Sequence, residues 1–549
     1  MLRICCLLLC MLLPCNSFAE STASNPELTS AISKLPKNSL RELPKLIETI
    51  EATESPKIKT ILTSLLNGDL YYIRANKQVV RVVKNTEGLY DQWHILTDEQ
   101  YPAVTKSKLK KIRTNNSIRG QIKSVLALLD LSHKDPSVRL EAVKRILDNP
   151  DKESTARLKK RLAKESDEAV TQTIQVAISV AALKFGSLEE QIAAVSVLAE
   201  SLEPAANNVL SRTKESLTEK TAELAEGETL SAQEKTLQTA VNKALDKIEQ
   251  KRDIYSFAEN LFFGISLGSV LLLAAIGLAI TFGVMGVINM AHGEMMMLGA
   301  YTTYVIQQMF PELINYSLFM AIPAAFLVSG LVGILIERGV IRYLKGRPLE
   351  TLLATFGISL ILQQLVRTIF SPLNRQVQAP DWMSGSLEIN PIFSLTYNRL
   401  YIIIFSLAVF FALMLILKKT PLGLHVRAVA QNREMARALS IKSDWVDAIT
   451  FGLGSGIAGI AGVVLSQLTN VGPNLGQSYI IDSFLVVVFG GVGNLWGTLV
   501  AAMSLGSMNK FLEPLTGSVL ANIIVLVGLV LFIQKRPKGL FPQKGRSAD

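Results

Sequence analysis

Leu261-Phe262-Phe263-Gly264-Ile265-Ser266-Leu267-Gly268-Ser269-Val270-Leu271-Leu272-Leu273-Ala274-Ala275-Ile276-Gly277-Leu278-Ala279-Ile280-Thr281-Phe282 is a run of 22 residues without one charged side chain. As a helix it extends about 33 Å, enough to cross the ~30 Å hydrocarbon core of a bilayer. Eight further apolar stretches follow, at roughly 288–308, 317–337, 350–370, 400–417, 448–468, 480–491, 495–509 and 518–534. The segments at 480–491 and 495–509 are short and separated by Gly490-Gly491-Val492-Gly493-Asn494. Residues 256–549 therefore read as an α-helical polytopic membrane domain with eight or nine transmembrane helices.

Composition supports a division of the chain in two. Of 549 residues, 49% are hydrophobic and 19% charged, too apolar for a disordered chain and too unevenly charged for a single soluble enzyme. Residues 20–255 hold 36 Lys/Arg and 33 Asp/Glu, whereas 256–549 hold 19 and 13. The first part is water-soluble in character, and its small, mixed-sign excess of positive charge argues against nucleic acid as a partner.

Residues 1–19 carry one charge, Arg3, an apolar core from Ile4 to Leu13, and Ser17-Phe18-Ala19 before a cut, the pattern of a secretory signal peptide. All four cysteines (Cys5, Cys6, Cys10, Cys15) fall within it. The mature protein would then have no disulfide, no thiolate metal site and no cysteine nucleophile. With residue 20 outside, the loops predicted to face the cytoplasm contain 15 of the 19 basic residues of 256–549, in agreement with the positive-inside rule. An outside start and a basic, cytoplasmic C-terminus require an odd number of crossings.

In the soluble part, Tyr71-Tyr72-Ile73-Arg74 and Val79-Val80-Arg81-Val82-Val83 flank a polar Asn76-Lys77 and predict a small β-hairpin. The rest is mainly α. Asp135-Pro136-Ser137-Val138 is echoed 32 residues later by Asp167-Glu168-Ala169-Val170, and more loosely at Ser187-Leu188-Glu189, which suggests degenerate HEAT-like repeats over about 118–205. Residues 212–252 read as a long polar helix leading to the membrane. His94 and His133 are isolated, with no metal or catalytic spacing around them, and residues 20–255 read as an interaction module.

Gly454-Ser455-Gly456-Ile457-Ala458-Gly459 matches the dinucleotide-binding pattern, but inside an apolar span it lacks the strand and helix that give the pattern meaning. Gly452, Gly456, Gly459 and Gly462, with Gly490, Gly491 and Gly493, read instead as helix-packing positions. No Gly-Lys dipeptide exists in the chain, so ATP hydrolysis, if it drives transport, belongs to another subunit. No cofactor is expected. Asn289, His292 and Glu294 beside a span, and Gln467 and Asp482 toward the other side, either line a water-filled path or lie at an interface; the sequence leaves both open. The cytoplasmic stretch Val426 to Leu439 is strongly helix-forming, with Val429, Met435, Ala436 and Leu439 toward one side. Its small apolar residues favour docking on a protein partner over lying on lipid.

Gly286-Val287-Ile288-Asn289-Met290-Ala291-His292-Gly293-Glu294, the stretch Arg427 to Ile441 running into Phe451 to Gly462, and Phe489-Gly490-Gly491-Val492-Gly493-Asn494-Leu495-Trp496-Gly497 resemble permease subunits of branched-chain amino-acid-type ABC transporters. The resemblance covers essentially all of 260–540. With a signal peptide and long extracytoplasmic extension in front, the chain looks like the long form of the urea transporter permease. That resemblance implies an inner-membrane subunit working with two ABC ATPases, a second permease and a periplasmic binding protein to move a small neutral solute, urea. It implies that Arg427, Ala430, Arg433, Glu434, Ala436, Arg437 and Leu439 belong to the segment that seats on an ATPase, and that Asn289, His292, Glu294 and Gln467 are candidates for the substrate path. The alternatives are a permease of the same family for branched-chain or other amino acids or short amides, and a proton-coupled secondary transporter using Glu294 or Asp482 as relays.

Overall fold

A computed structural model describes residues 26–37, 40–53, 55–85, 88–223 and 230–541; the predicted leader at 1–19, with the four cysteines, lies outside the described residues. The chain divides into two compact units, one up to Glu249 and one from Gln250.

In the first unit, α1 (Pro26–Lys34), α2 (Leu43–Ala52), α3 (Ile58–Asn67) and α4 (Asn116–Asp130) share a core with one sheet. The sheet comprises β1 (Leu70–Ile73), β2 (Val79–Lys84), β3 (Tyr90–His94), β4 (Gln100–Val104) and β5 (Leu109–Lys111), antiparallel in the order β4-β3-β2-β1-β5. The expected hairpin is β1–β2, with Leu70 opposite Arg81, but three more strands extend it. Their sequences hide them: β4 contains Pro102 and β5 is Leu-Lys-Lys, compositions tolerated because both are edge strands.

The rest of this unit is helical: α5 (Pro136–Asp148), α6 (Lys152–Leu162), α7 (Glu168–Phe185), α8 (Leu188–Leu198), α9 (Pro204–Glu223) and the start of α10 (Ala232–Met285). Asp135 and Asp167 are both N-caps, accepting from the Ser137 and Val170 amides at 2.9 and 3.1 Å. Each satisfies an orphan donor of the first turn. Ser187 caps α8 in a reciprocal box with Glu190. It therefore opens the second helix of the α7–α8 pair rather than a third unit of the 32-residue spacing. Val143, Ile174, Ala177, Leu198, Leu210 and Val241 form the shared core. Between α5 and α7 the buried Glu165 carboxylate accepts from Arg139 at 2.7 and 2.9 Å and from Arg161 at 2.9 and 3.0 Å. The Arg139 hydrogen bonds, aided by Arg161 and the Ser166 and Asp167 amides, hold its pKa down at about 2.

The second unit contains the rest of α10, then α11 (His292–Met309), α12 (Ser317–Gly339), α13 (Pro348–Phe370), a β6–β7 hairpin (Ser386–Glu388, Ser394–Thr396), α14 (Tyr397–Lys419), α15 (Pro421–Gln431), α16 (Arg433–Ala438), α17 (Ser443–Ser466), α18 (Leu475–Gly490), α19 (Leu495–Thr516) and α20 (Ser518–Lys535). All nine predicted spans fall on helices. Among the described residues six helices are long and apolar enough to cross a membrane, namely α10, α12, α13, α14, α17 and α20; α18 is apolar but shorter. The segment predicted to start near 288 becomes helical only at His292. Gly286 takes φ +67° and the Asn289 side chain accepts from the Ala291 amide, a local turn that competes with helix.

α17 lies at the centre, packed on α11 and α12, and small residues explain how. A Cβ on Gly452 would sit 2.6 Å from Ile334, on Gly456 2.7 Å from the Phe326 ring, and on Gly459 2.6 Å from the Ala325 carbonyl; on Gly462 it would collide with the Met296 carbonyl. Gly490 packs against Gly497 in the same way. Gly491 and Gly493 add a second requirement to packing: their φ of +102° and +79° form the turn between α18 and α19, while a Cβ on Gly491 would sit 2.6 Å from the Phe541 carbonyl and one on Gly283 of α10 2.7 Å from the Gly493 Cα.

Candidate functional site

The segment between α14 and α17 is two helices, not the single one predicted. Thr420 caps α15, and Asn432, at φ −148°, ends it and caps α16 by accepting from the Met435 amide at 3.0 Å. The break rotates the second half. Val426, Val429 and Ala436 face the bundle, whereas Met435 and Leu439, expected on the same side, are 59% and 73% exposed. Leu424 is exposed as well.

This segment is fastened by an ion cluster. The Asp447 carboxylate, fully buried on the first turns of α17, accepts from Arg433 at 2.5 and 3.0 Å and from Lys345 at 2.5 Å. Lys345 also reaches Asp444 at 3.0 Å, and Arg437 donates to Ser443 and Asp444 at 2.7 and 3.3 Å. The Arg338 guanidinium lies 4.3 Å from the Trp445 ring centre, a cation–π contact. Arg433 is thus an anchor into the bundle, while Arg427, Glu434 and Arg437 are exposed and Ala430 is half-buried. Arg427 donates to the Leu417 carbonyl.

Asn289, His292 and Glu294 are brought together at the start of α11, which begins inside the bundle. The three are 2%, 0% and 1% exposed. A His292 ring nitrogen is 2.9 Å from the Ala274 carbonyl of α10. Glu294 accepts from Ser359 at 2.9 Å and Gln363 at 2.8 Å, both on α13, and the Met290 amide donates to Thr355. Next to them Gly293 packs on Gly476 at the start of α18. Ser359, Gln363 and Thr355 carry a signal that sequence reading passed over: hydroxyls and an amide at helical spacing within an apolar span. Gln467 is separate, at the C-terminal cap of α17; its side-chain amide donates to Ser466 and its backbone carbonyl accepts from Asn398.

Two cavities of the bundle have linings that do not include Asn289, His292, Glu294 or Gln467. One cleft, about 770 Å³, is lined by Leu267 and Leu271 of α10, by Asp482, Tyr479 and Lys510, and by five amide side chains, Asn374, Asn470, Asn474, Asn509 and Asn522. The other, about 690 Å³, is lined by Ala279, Ile280, Gly283 and Val284 of α10 with Lys418, Arg427, Ala430 and Trp496. They lie at opposite ends of the unit. The first adjoins the Arg375–Val471 pairing and the Arg367–Asn474 hydrogen bond; the second adjoins α15 and the α18–α19 turn. Between them Ala274, Ala275, Ile276 and Leu278 are sealed at 0–1% exposure, with Gly277 against Gly454 of α17. The cleft draws its amides from separate helices and loops, so no local spacing announces it; polar residues interrupting apolar runs, such as Asn522, are the available signal.

Residues 260–534 match the family described as "Branched-chain amino acid transport system / permease component". The high-affinity branched-chain amino acid transport system permease protein BraD of Pseudomonas aeruginosa is 28% identical over 299 residues, 52% of this chain and 96% of that protein. Its counterpart LivH of Escherichia coli K12 is 29% identical over 302 residues, 52% and 95% respectively. The ribose import permease protein RbsC of Bacillus subtilis is 31% identical over 134 residues, 22% and 42%. No solved structure matches significantly. The family match begins at residue 260, beyond the first unit.

Proposed function

Since the chain belongs to the branched-chain amino acid transport system permease family, we propose that it is the permease subunit of an ATP-binding-cassette importer for urea in a bacterial inner membrane. In this reading residues 20–255 are periplasmic and the C-terminus is cytoplasmic, and the partners are a periplasmic binding protein, a second permease and two ATPase subunits.

The observation that carries the reading is the pair of cavities at opposite ends of one bundle, separated along α10 by the seal from Ala274 to Leu278. Alternating access requires such a barrier, opened to one side at a time. The α15–α16 segment borders the second cavity and presents Leu424, Met435 and Leu439 outward, so an ATPase seated on it would act beside that mouth. Arg433 and Ala436 hold the segment in place, and the exposed side chains make the contact. This divides the residues expected of the coupling segment into anchors and contacts.

Urea is neutral and rich in donors and acceptors. Amide side chains, which both donate and accept, suit it, and five of them line the first cleft. The buried Asn289, His292 and Glu294 then act as the packed interior of the barrier, reached by solute only when the bundle rearranges. A second reading, amino-acid transport, is favoured by the substrates in the relatives' names and by charged groups in the same cleft: Lys510 is paired with Glu513 there, and Asp482 is placed to meet an ammonium.

Uptake of labelled urea and labelled leucine in a strain deleted for this chain separates the two readings. We expect urea uptake to be lost and then restored by re-expression. Loss of leucine uptake with urea untouched assigns the amino-acid reading instead.

A further inference from the structure

The sheet of the first unit, with the segment and the start of α4 that follow its last strand, carries a concentration of positive charge that the proposed transport cycle does not use. From Gln100 to Leu129 the chain has seven basic residues, Lys106, Lys108, Lys110, Lys111, Arg113, Arg119 and Lys123, and no acidic one. The β1–β2 hairpin, Leu70 to Lys84, adds Arg74, Lys77, Arg81 and Lys84, again with no acid. All seven of the first group are exposed, and among the described residues none makes an ion pair. This is a local asymmetry, since residues 20–255 are nearly balanced in charge.

We propose that this edge of the sheet is a docking surface for anionic phospholipid headgroups. Lysine on an edge strand is a common guard against strand pairing, and that accounts for Lys110 and Lys111. It does not account for Lys106 and Lys108 before the strand or for Arg113, Arg119 and Lys123 after it. Most of these cations are lysines, point charges on long stems rather than arginine forks set for one carboxylate. The cavity between α6, α7 and α8 has none of these cations in its lining, and the patch itself is an extended run of exposed side chains. Tyr71 and Tyr72 on β1 sit directly opposite Lys111 and Lys110 on β5, with each ammonium about 6 Å from its tyrosine ring; because successive strand residues alternate faces, one such pair flanks the β5 edge on each side of the sheet. That aromatic and basic combination suits the headgroup layer. The patch also belongs to the same chain as a membrane permease unit, and such a tether raises the effective concentration of bilayer around it.

The test uses the full chain in nanodiscs of phosphatidylcholine alone or with phosphatidylglycerol. Lysines are acetylated with a water-soluble ester and read residue by residue by mass spectrometry. Lys106, Lys108, Lys110 and Lys111 should react at least about threefold more slowly when phosphatidylglycerol is present, with the exposed Lys214 and Lys235 unchanged. The protection should vanish at about 0.5 M salt, where the screening length is only a few ångströms. In a Lys110→Gln, Lys111→Gln, Arg113→Gln variant, Lys106 and Lys108 should lose their protection. Equal rates in both lipid compositions would overturn the proposal. So would protection that ignores lipid charge and arises only when a binding protein is added, which would assign the patch to an acidic protein surface.

Discussion

Replacing Asp447 by Asn removes one charge from the ion cluster and keeps the side chain's shape. The carboxylate is fully buried and accepts three charge-assisted hydrogen bonds, two from Arg433 and one from Lys345. Bonds of that kind contribute about 1.5–3 kcal/mol each when the partner is left buried. Here the cations are not fully buried: the Arg433 and Lys345 side chains are 28% and 25% exposed, and Lys345 keeps Asp444. The loss should therefore fall well below the sum, at about 2–3 kcal/mol, or roughly 30- to 150-fold in the equilibrium that holds α16 on α17. Hydrogen exchange on the purified chain reads this directly. Amides of residues 433–442 should exchange faster in the variant by that factor, while those of residues 454–462 in the centre of α17 should not change. Arg433→Met should give a smaller effect and Lys345→Met the smallest, because each leaves Asp447 one cation. Unchanged exchange at 433–442 would refute the anchoring role of Asp447. Equal acceleration throughout α17 would show that the substitution loosens the bundle as a whole.

Gly462→Ala should lower thermal stability in detergent by about 1–3 kcal/mol, because the added methyl meets the Met296 backbone; Gly528→Ala, which meets open space, is the control and should be neutral or better. The first unit should weaken in acid through Glu165. Its folded pKa, about 2, lies below the ordinary 4.5, so its stabilisation is complete above pH 4.5 and fades as pH falls toward 2. Glu165→Gln should flatten that part of the unfolding profile, followed by circular dichroism, and a profile identical to the parent's would contradict the assignment.

The parts of this fold that were legible in sequence are those written locally. Nine apolar runs give nine helices, and Asp135 and Asp167 mark helix starts because a cap is read within three residues. The small residues of α17 announce close helix contacts for the same reason. What was not legible depends on distance or on a single competing residue. Asn432 sits within a strong helix-forming run, and only its side chain's bond to the Met435 amide breaks the helix and turns Met435 and Leu439 outward. Arg433 lies in the stretch expected to seat on an ATPase, and nothing local points to its anchor, Asp447, fourteen residues on. The polar residues at the start of α11 were flagged, but their partners Ser359 and Gln363 come from another helix, and the amide-lined cleft is assembled from elements far apart in the chain.

The proposal as a whole turns on whether transport through this bundle is driven by a partner's ATP hydrolysis. The decisive measurement is uptake of labelled urea into proteoliposomes holding this chain, its co-purified permease and ATPase subunits, and the binding protein. Accumulation should require ATP on the ATPase side, persist when the proton gradient is collapsed, and disappear when Met435 and Leu439 are both replaced by Glu. Accumulation without any ATPase subunit, abolished instead by an uncoupler, would contradict the account and point to proton-coupled transport.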